Sequence, residues 1–267
     1  MSIWQALLLS IVQGVTEFIP VSSSGHLVLF QHFLGLDLTD DIFFEVLTHA
    51  GTSVAIVLVY FKDLWRLADD CLFGEGAVRR QAWRYVGYIV VGSIPVALVG
   101  LFLMAPVVAT FARPGLAAAM LLITATFLLL TKNHSGKGLE IGLMAALLIG
   151  LAQAFAPLPG ISRSGITIST ALLFGISRDE AGRFSFMLAL PALLGAAFLD
   201  FRKIESLTDL PLSPAAIAVS FLVSATVGFF ALKLLLNFVH RGQLHYFGYY
   251  CAGAGLLSLL LICFFGV

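Results

Sequence analysis

Long apolar stretches, separated by short polar ones, run along almost the whole chain of 267 residues. Each stretch is close to the roughly 20 residues that a helix needs to cross the hydrocarbon core of a bilayer. The stretches are continuously apolar, which excludes the alternating strands of a membrane β-barrel. The pattern therefore predicts an all-α polytopic membrane protein, with apolar runs at 42–62, 84–104, 114–132, 139–157, 183–200, 213–233 and 245–266.

Two polar clusters interrupt this pattern. EFIPVSSSGHLVLF at 17–30 and PLPGISRSGIT at 157–167 both place serines and a glycine after a turn that contains proline. Proline and glycine break helices, and serine is favoured where a new helix begins. Non-helical backbone at membrane depth is tolerated only when it is buried in protein or lines a wet cavity. We therefore predict two re-entrant helical hairpins, with arms at 2–18 and 23–35 and at 139–156 and 161–175.

The two clusters coincide when the sequence is shifted against itself by 140 positions. Each half then consists of a hairpin followed by three spans: 1–133 with the hairpin 2–35, and 134–267 with the hairpin 139–175. An odd number of spans inverts the second half relative to the first. The sequence thus predicts an inverted-topology repeat of six transmembrane helices plus two re-entrant hairpins in one membrane domain. The matched positions are Gln13/Gln153, Ser22/Ser162, Ser24/Ser164, Gly25/Gly165, Gly35/Gly175, Phe44/Phe184 and Phe61/Phe201, with Lys62 over Arg202.

Composition supports the membrane assignment and narrows the choice of partners. Hydrophobic residues make up 60% of the chain and charged residues 11%, and the mean hydropathy is +1.00. The net charge is zero, so no bulk attraction to nucleic acid is expected. The three cysteines lack metal-ligand spacing, and the first residues lack the features of a removable signal peptide.

The basic residues predict an orientation. With both hairpins entering and leaving on one side, only Arg113, Arg202 and Lys203 lie on one face, whereas eleven of the fifteen Lys and Arg residues share the other face. The positive-inside rule makes the richer face cytoplasmic and places both termini outside. Arg163 lies on neither face, because this topology puts it inside the membrane, in the second polar cluster.

The two helix starts suggest a phosphate site. The N-terminus of a helix presents unpaired N–H groups and the positive end of the helix dipole, which suits an anion. Two such starts facing each other can hold two phosphoryl groups. Arg163 adds a permanent charge and a planar fork that matches phosphate oxygens.

Glu17, Gln13, Ser23 and His26 supply the remaining chemistry. A carboxylate facing phosphate is repulsive, so Glu17 is best explained by a divalent cation that bridges it to phosphate, with Gln13 on the same helical face. Ser23 precedes His26 by three residues, so the serine hydroxyl can give its proton to the imidazole. These groups suit phosphoryl transfer to water. Each of these groups also has a structural alternative. Glu17 and Arg163 can form an ion pair, the serines can bond to their own helix, and His26 and Gln13 can have structural roles. Two further residues, Glu45 and His49, either face the site or make structural hydrogen bonds.

QGVTEFIPVSSSGH and PGISRSGIT resemble the paired signatures of the BacA-type undecaprenyl pyrophosphate phosphatases. The first motif matches at Gln13, Glu17 and 20–26, and the second at 159–167. The resemblance covers nearly the full chain in length and span order. The chain departs from the family pattern at Gln13, where many members have glutamate, which removes one charge from the expected cation site.

The resemblance implies hydrolysis of undecaprenyl pyrophosphate to the monophosphate, the lipid carrier recycled for peptidoglycan and other envelope polymers. It implies a bacterial inner membrane location, an active site open to the periplasm, a Mg²⁺ or Ca²⁺ cofactor, and bacitracin sensitivity when the activity is lost. The expected partners are the lipid substrate and bilayer lipids, not nucleic acid, and a homodimer is compatible with the sequence. Glu17 is expected to bind metal or orient water, Ser23 to attack, and His26 to act as its base or proton donor. The predicted pyrophosphate ligands are Arg163 with Ser22, Ser24, Gly25, Gly160, Ser162, Ser164 and Thr167.

The sequence leaves three alternatives open. The first is a polyprenyl-phosphate transporter or flippase, because inverted repeats with broken helices are a transporter architecture. The second is a vestigial site in an assembly partner. The third concerns the attacking group, which is Ser23, water or His26. A second family of lipid phosphatases that also contains SGH and SR is excluded, because Ser169 stands six residues after Arg163 where that family has histidine.

Overall fold

The computed structural model describes residues 3–34, 42–134, 136–201 and 213–265. Within these ranges the regular structure is helical, apart from one isolated parallel bridge between Leu139 and Ile176. The residues Gly35, Arg202 and Lys203, which enter the predicted repeat and charge distribution, lie outside the described ranges. The described α-helices are α1 (Ile3–Phe18), α2 (Ser23–Leu34), α3 (Ile42–Val59), α4 (Phe61–Leu72), α5 (Gly76–Phe102), α6 (Met104–Val108), α7 (Pro114–Leu130), α8 (Leu143–Gln153), α9 (Arg163–Leu173), α10 (Arg178–Phe201), α11 (Pro214–His240) and α12 (His245–Phe265), and a short 3-10 turn, Thr131–Asn133, follows α7.

Five of the described helices are long and apolar enough to cross a membrane: α5, α7, α10, α11 and α12. The prediction of an all-α, multi-pass membrane protein is confirmed at this level. The predicted span 42–62 forms α3, which ends at Val59, after which the chain turns at Tyr60 into α4.

The predicted hairpin arms are helices that are too short to cross a bilayer. At 1.5 Å per residue, α1 is about 24 Å long and α8 and α9 are about 16 Å long, against a hydrocarbon core of about 30 Å. In α9 every residue from Ser164 to Leu172 is buried. The protein itself therefore surrounds this short helix, as the prediction of a helix broken inside the membrane requires.

Several predicted boundaries are wrong. The first arm of the second hairpin begins at Leu143 rather than 139, because Leu139 pairs with the chain after α9 through bonds to Gly175 and Ser177. Helix α5 begins at Gly76, eight positions before the predicted span, because its polar first turns are helical too. Helix α4 was not predicted, because its polar face lowers its hydropathy below that of a span.

Helices from the two halves pack against each other rather than forming two separate bundles. Helix α1 packs on α11, and α8 packs on α5, while α7 pairs with α12. Small residues allow close approach, as where the backbone of Gly150 in α8 meets that of Gly92 in α5. A large apolar core results, and its largest fully buried side chains include Phe18, Phe184 and Phe186. A smaller apolar cluster in the described chain forms around Ala6 and Ala216.

Candidate active site

The break between α1 and α2 is a tight turn held by Ser22. Ser22 has a φ of 63°, in the left-handed region that side chains other than glycine rarely adopt. Its Oγ accepts a hydrogen bond from the N–H of Gly25 at 3.2 Å and from the N–H of Gly160 at 3.1 Å. The side chain therefore caps α2 and ties this turn to the second break, which stabilises a backbone conformation that is otherwise unfavourable.

The break between α8 and α9 is built in a similar way around Ser162. The Oγ of Ser162 accepts from the N–H of Gly165 at 3.1 Å and so caps α9. Thr124, on α7, anchors the turn from outside: its hydroxyl donates to the carbonyl of Gly160 at 2.7 Å and accepts from the N–H of Ser162 at 3.0 Å. Gly160 has a φ of +100°, and an added Cβ there would collide with the backbone of α7, so glycine is required at this position.

The two turns interlock. Besides the bond from Gly160 to Ser22, the hydroxyl of Ser164 donates to the carbonyl of Phe18 at 2.8 Å. A Cβ placed on Gly25 would lie 2.6 Å from the Cα of Gly160, so the two backbones touch. The starts of α2 and α9 consequently lie together, as predicted, and their first-turn N–H groups and dipoles make this region favourable for an anion.

Glu17 and Arg163 form an ion pair across the two clusters. Nη2 of Arg163 contacts Oε1 of Glu17, and the two side chains are only 14% and 10% exposed. The second oxygen, Oε2, accepts from Nε2 of Gln13 at 3.0 Å and lies 3.8 Å from Nε2 of His49. A buried carboxylate is stable only with such partners. The structure therefore brings Gln13, Glu17 and Arg163 together, and it adds His49, which the sequence left between a site role and a structural one.

His26 lies beside the same turn, and its two ring nitrogens have partners. Nδ1 is 2.9 Å from the carbonyl oxygen of Ser22, and Nε2 is 2.8 Å from the hydroxyl of Tyr250 on α12. The rings of His26 and Tyr250 are nearly parallel, with centroids 5.5 Å apart. The ring nitrogens thus face Ser22 and Tyr250, whereas the sequence predicted a hydrogen bond from Ser23. Sequence reasoning missed Tyr250, because 224 positions separate it from His26 and no local pattern marks it.

The remaining predicted ligands fall into two groups. Ser22, Ser162, Ser164 and Thr167 are buried, and their hydroxyls hold the turns and helix starts; Thr167, for example, donates to the carbonyl of Arg163 at 2.8 Å. Ser23 and Ser24 are partly exposed at the start of α2, and the Oγ of Ser24 is 3.4 Å from that of Ser22. The first group therefore shapes the site, and the second is accessible to a bound group.

The donors around Glu17 fit a cation that is bound together with an anionic ligand. Within the described residues no group of three or more His, Cys, Asp and Glu side chains is placed to hold a metal ion. Glu17 offers carboxylate oxygens and Gln13 an amide oxygen. Mg²⁺ is often held by one or two carboxylates plus phosphate oxygens and waters, so this small oxygen set is compatible with it, whereas an all-protein cage is not present in the described chain.

Two cavities lie elsewhere, next to Arg183. Their volumes are about 490 and 370 Å³, and none of the predicted site residues lines them. The chemistry of the buried polar groups, rather than cavity size, therefore identifies the candidate active site.

These features define a class: a polytopic α-helical membrane protein in which two interlocked helix starts and a buried arginine lie together, an arrangement that favours an anion. The family model described as bacitracin resistance protein BacA matches residues 6–257. The chain therefore belongs to the BacA family, and the prediction drawn from the two motifs is confirmed.

Curated relatives match almost end to end. An undecaprenyl-diphosphatase of Korarchaeum cryptofilum is 44% identical over 97% of this chain and 100% of its own length. Those of Rhodopirellula baltica and Desulforapulum autotrophicum are 38% and 39% identical, over 96% and 97% of this chain and 97% and 98% of their own lengths. These names agree with the phosphatase alternative, and none of them supports the transporter alternative.

Proposed function

We propose that this chain hydrolyses undecaprenyl pyrophosphate to undecaprenyl phosphate and inorganic phosphate. The oxygen of a water molecule ends bonded to the terminal phosphorus, the bond from that phosphorus to the bridging oxygen breaks, and one proton leaves the water. The observation that carries the proposal is the meeting of the α2 and α9 starts beside Arg163. The named activity of the relatives supplies the substrate and the reaction.

The pyrophosphate binds where the two helix starts meet. N–H groups in the first turns of α2 and α9 bind phosphate oxygens, and the aligned dipoles stabilise their charge. Arg163 contacts Glu17 in the structure and exchanges part of this contact for phosphate oxygens when substrate binds. Because catalysis of phosphoryl transfer depends mainly on position and charge stabilisation, these groups carry much of the rate enhancement.

The attacking oxygen in this proposal is that of water. Attack by Ser23 with help from His26 requires the imidazole to take the serine proton. In the structure, Nδ1 of His26 faces the Ser22 carbonyl and Nε2 faces the Tyr250 hydroxyl, so neither ring nitrogen faces Ser23 as direct transfer from its hydroxyl requires. Ser23, partly exposed at the start of α2, instead binds the phosphoryl group that is transferred, and His26 exchanges the proton at Nε2.

A divalent cation, Mg²⁺ or Ca²⁺, is proposed to bind with the substrate. Glu17 and Gln13 would hold it, and pyrophosphate oxygens and water would complete its shell. When bound, the ion neutralises phosphate charge. Glu17 also keeps Arg163 beside the helix starts, so its carboxylate serves the site with or without the ion.

We extend the proposal to the predicted repeat, 1–133 and 134–267. Its support is local: Ser22 and Ser162 cap their helices in the same way, and in each turn a second serine Oγ lies 3.4 Å from the capping one. In this repeat α1 corresponds to α8 and α5 corresponds to α11. The packing of α1 on α11 and of α8 on α5 is therefore the same contact made once by each half. From the apolar runs and the repeat we further propose six spans, from the charge distribution a site that opens to the outer side, and from the family a location in the bacterial cytoplasmic membrane; a homodimer remains a prediction.

The test is phosphate release from undecaprenyl pyrophosphate by detergent-purified protein. We compare the wild type with the variant Arg163→Ala. The matched control is Arg113→Ala, which also removes one arginine but lies away from the site. Arg163→Ala is expected to lower kcat/KM by about 100-fold or more, the usual effect of losing a preorganised charge donor. Arg113→Ala is expected to retain activity. An inert wild-type protein that is folded, or full activity in Arg163→Ala, would contradict the proposal.

A further inference from the structure

The hydrogen-bond partners of His26 fix its tautomer. A carbonyl oxygen can only accept a hydrogen bond, so Nδ1, which lies 2.9 Å from the carbonyl of Ser22, carries a hydrogen. In the neutral imidazole Nε2 is then the nitrogen with the free lone pair. His26 can therefore accept a proton only at Nε2, because Nδ1 stays bonded to the carbonyl of Ser22.

Tyr250 is the side chain that meets this nitrogen. Its hydroxyl lies 2.8 Å from Nε2, where it donates to the neutral ring and accepts from the protonated one. The phenol is 53% exposed, but its backbone is anchored, because the next residue, Cys251, is fully buried with its Sγ 3.6 Å from the carbonyl oxygen of Pro20. Helix α12 thus holds Tyr250 against the first break from outside the hairpin.

We propose that Tyr250 orients His26 and relays protons to and from its Nε2 in the hydrolysis proposed above, on which this inference rests. The Nδ1 bond alone leaves the imidazole free to tilt about Ser22. The second bond and the parallel arrangement of the two rings hold the ring in one plane with Nε2 towards α12. The proton that leaves the attacking water therefore reaches Nε2 through the Tyr250 hydroxyl, which takes that proton as it gives its own hydrogen to the ring, and the reverse step returns a proton to the departing phosphate.

The hydroxyl of Tyr250 has a matched control on the same helix. Tyr249 is 50% exposed, and its hydroxyl also has a hydrogen bond, but it is with Nζ of Lys132, at 3.1 Å. Tyr250→Phe and Tyr249→Phe each remove one exposed hydroxyl from neighbouring positions of α12. We expect Tyr250→Phe to lower kcat by about 3- to 10-fold, the equivalent of one ordinary hydrogen bond, with KM within about twofold, and Tyr249→Phe to leave both unchanged.

A double-mutant cycle shows whether Tyr250 acts through His26. In a His26→Ala background the substitution Tyr250→Phe should have no further effect on kcat. Because His26→Ala can lack measurable activity, the second readout is spectroscopic. In protein with isotope-labelled histidine, the resonance of Nε2 of His26, assigned with a His26→Asn variant, should shift in Tyr250→Phe and not in Tyr249→Phe.

The outcomes separate the inference from the function on which it rests. If folded wild-type protein releases no phosphate, the proposed function fails. If the wild type is active and Tyr250→Phe matches Tyr249→Phe in kcat and in the Nε2 resonance, the positioning role is wrong and the function stands. A rise in KM at constant kcat would also overturn the inference, because Tyr250 would then contact the lipid rather than orient His26.

Discussion

The contact between Gly25 and Gly160 offers a direct perturbation of the site. In the structure a Cβ on Gly25 would lie 2.6 Å from the Cα and 2.8 Å from the N of Gly160, both of them backbone atoms. Ordinary contact begins at 3.4 Å, so Gly25→Ala must drive the two turns apart by about 0.8 Å. Neither turn can yield by rotating a side chain, because backbone meets backbone.

The expected cost has two parts. Overpacking of this kind costs about 1–3 kcal/mol. The movement also lengthens the bond from the Gly160 N–H to the Oγ of Ser22, and loss of a hydrogen bond of this type costs about 0.5–1.5 kcal/mol. Because a displacement near 1 Å in a positioned site can lower the rate by about 100-fold, activity should fall by about this factor even in protein that remains folded.

The assay combines thermal unfolding with phosphate release from undecaprenyl pyrophosphate. The matched control is Gly100→Ala in α5, where an added Cβ meets nothing within 4 Å. It should keep its activity, with a slightly raised melting temperature, because alanine favours a helix over glycine. Gly25→Ala should lose most of its activity while it remains folded. If Gly25→Ala is as active as Gly100→Ala, the close meeting of the two helix starts does not matter for function, and the site described above is wrong.

Three further predictions follow from the same contacts. Thr124→Val should lower the free energy of unfolding by about 1–3 kcal/mol, because it leaves two buried backbone groups of the second turn without a partner; denaturant unfolding should show this loss, but not for Thr126→Val, an exposed threonine on the same helix. Arg163→Lys keeps the charge but loses the planar fork, so KM should rise about tenfold, and an unchanged KM would argue against direct phosphate binding by this residue. Glu17→Gln should raise the Mg²⁺ concentration that gives half-maximal activity, measured after EDTA treatment; a Mg²⁺ titration identical to that of the wild type would remove Glu17 from the cation site.

Local features of the sequence determined the helices and their breaks. The apolar runs predicted six spanning helices, and five of the described helices are long and apolar enough to cross a membrane. The proline, glycine and serine positions predicted arms at 2–18 and 23–35 that are found as Ile3–Phe18 and Ser23–Leu34. These predictions succeed because hydropathy and helix capping depend on neighbouring residues. The amphipathic helix α4 left a weaker signal, in the spacing of Phe61, Trp65 and Leu72 along one exposed side, which a search for helical periodicity could have found.

The partners of the site residues were decided only by the tertiary structure. Thr124 holds the second turn, and Tyr250 meets His26, although neither lies in a polar motif. The motif correctly places Ser23 one helical turn before His26, but the ring of His26 turns towards Ser22 and α12 instead. Spacing along a helix defines which residues share a face, whereas a side chain's direction depends on which distant helix packs against that face. In this protein the distant helices that pack against the site are α7 and α12, and their positions follow from the packing of the whole bundle.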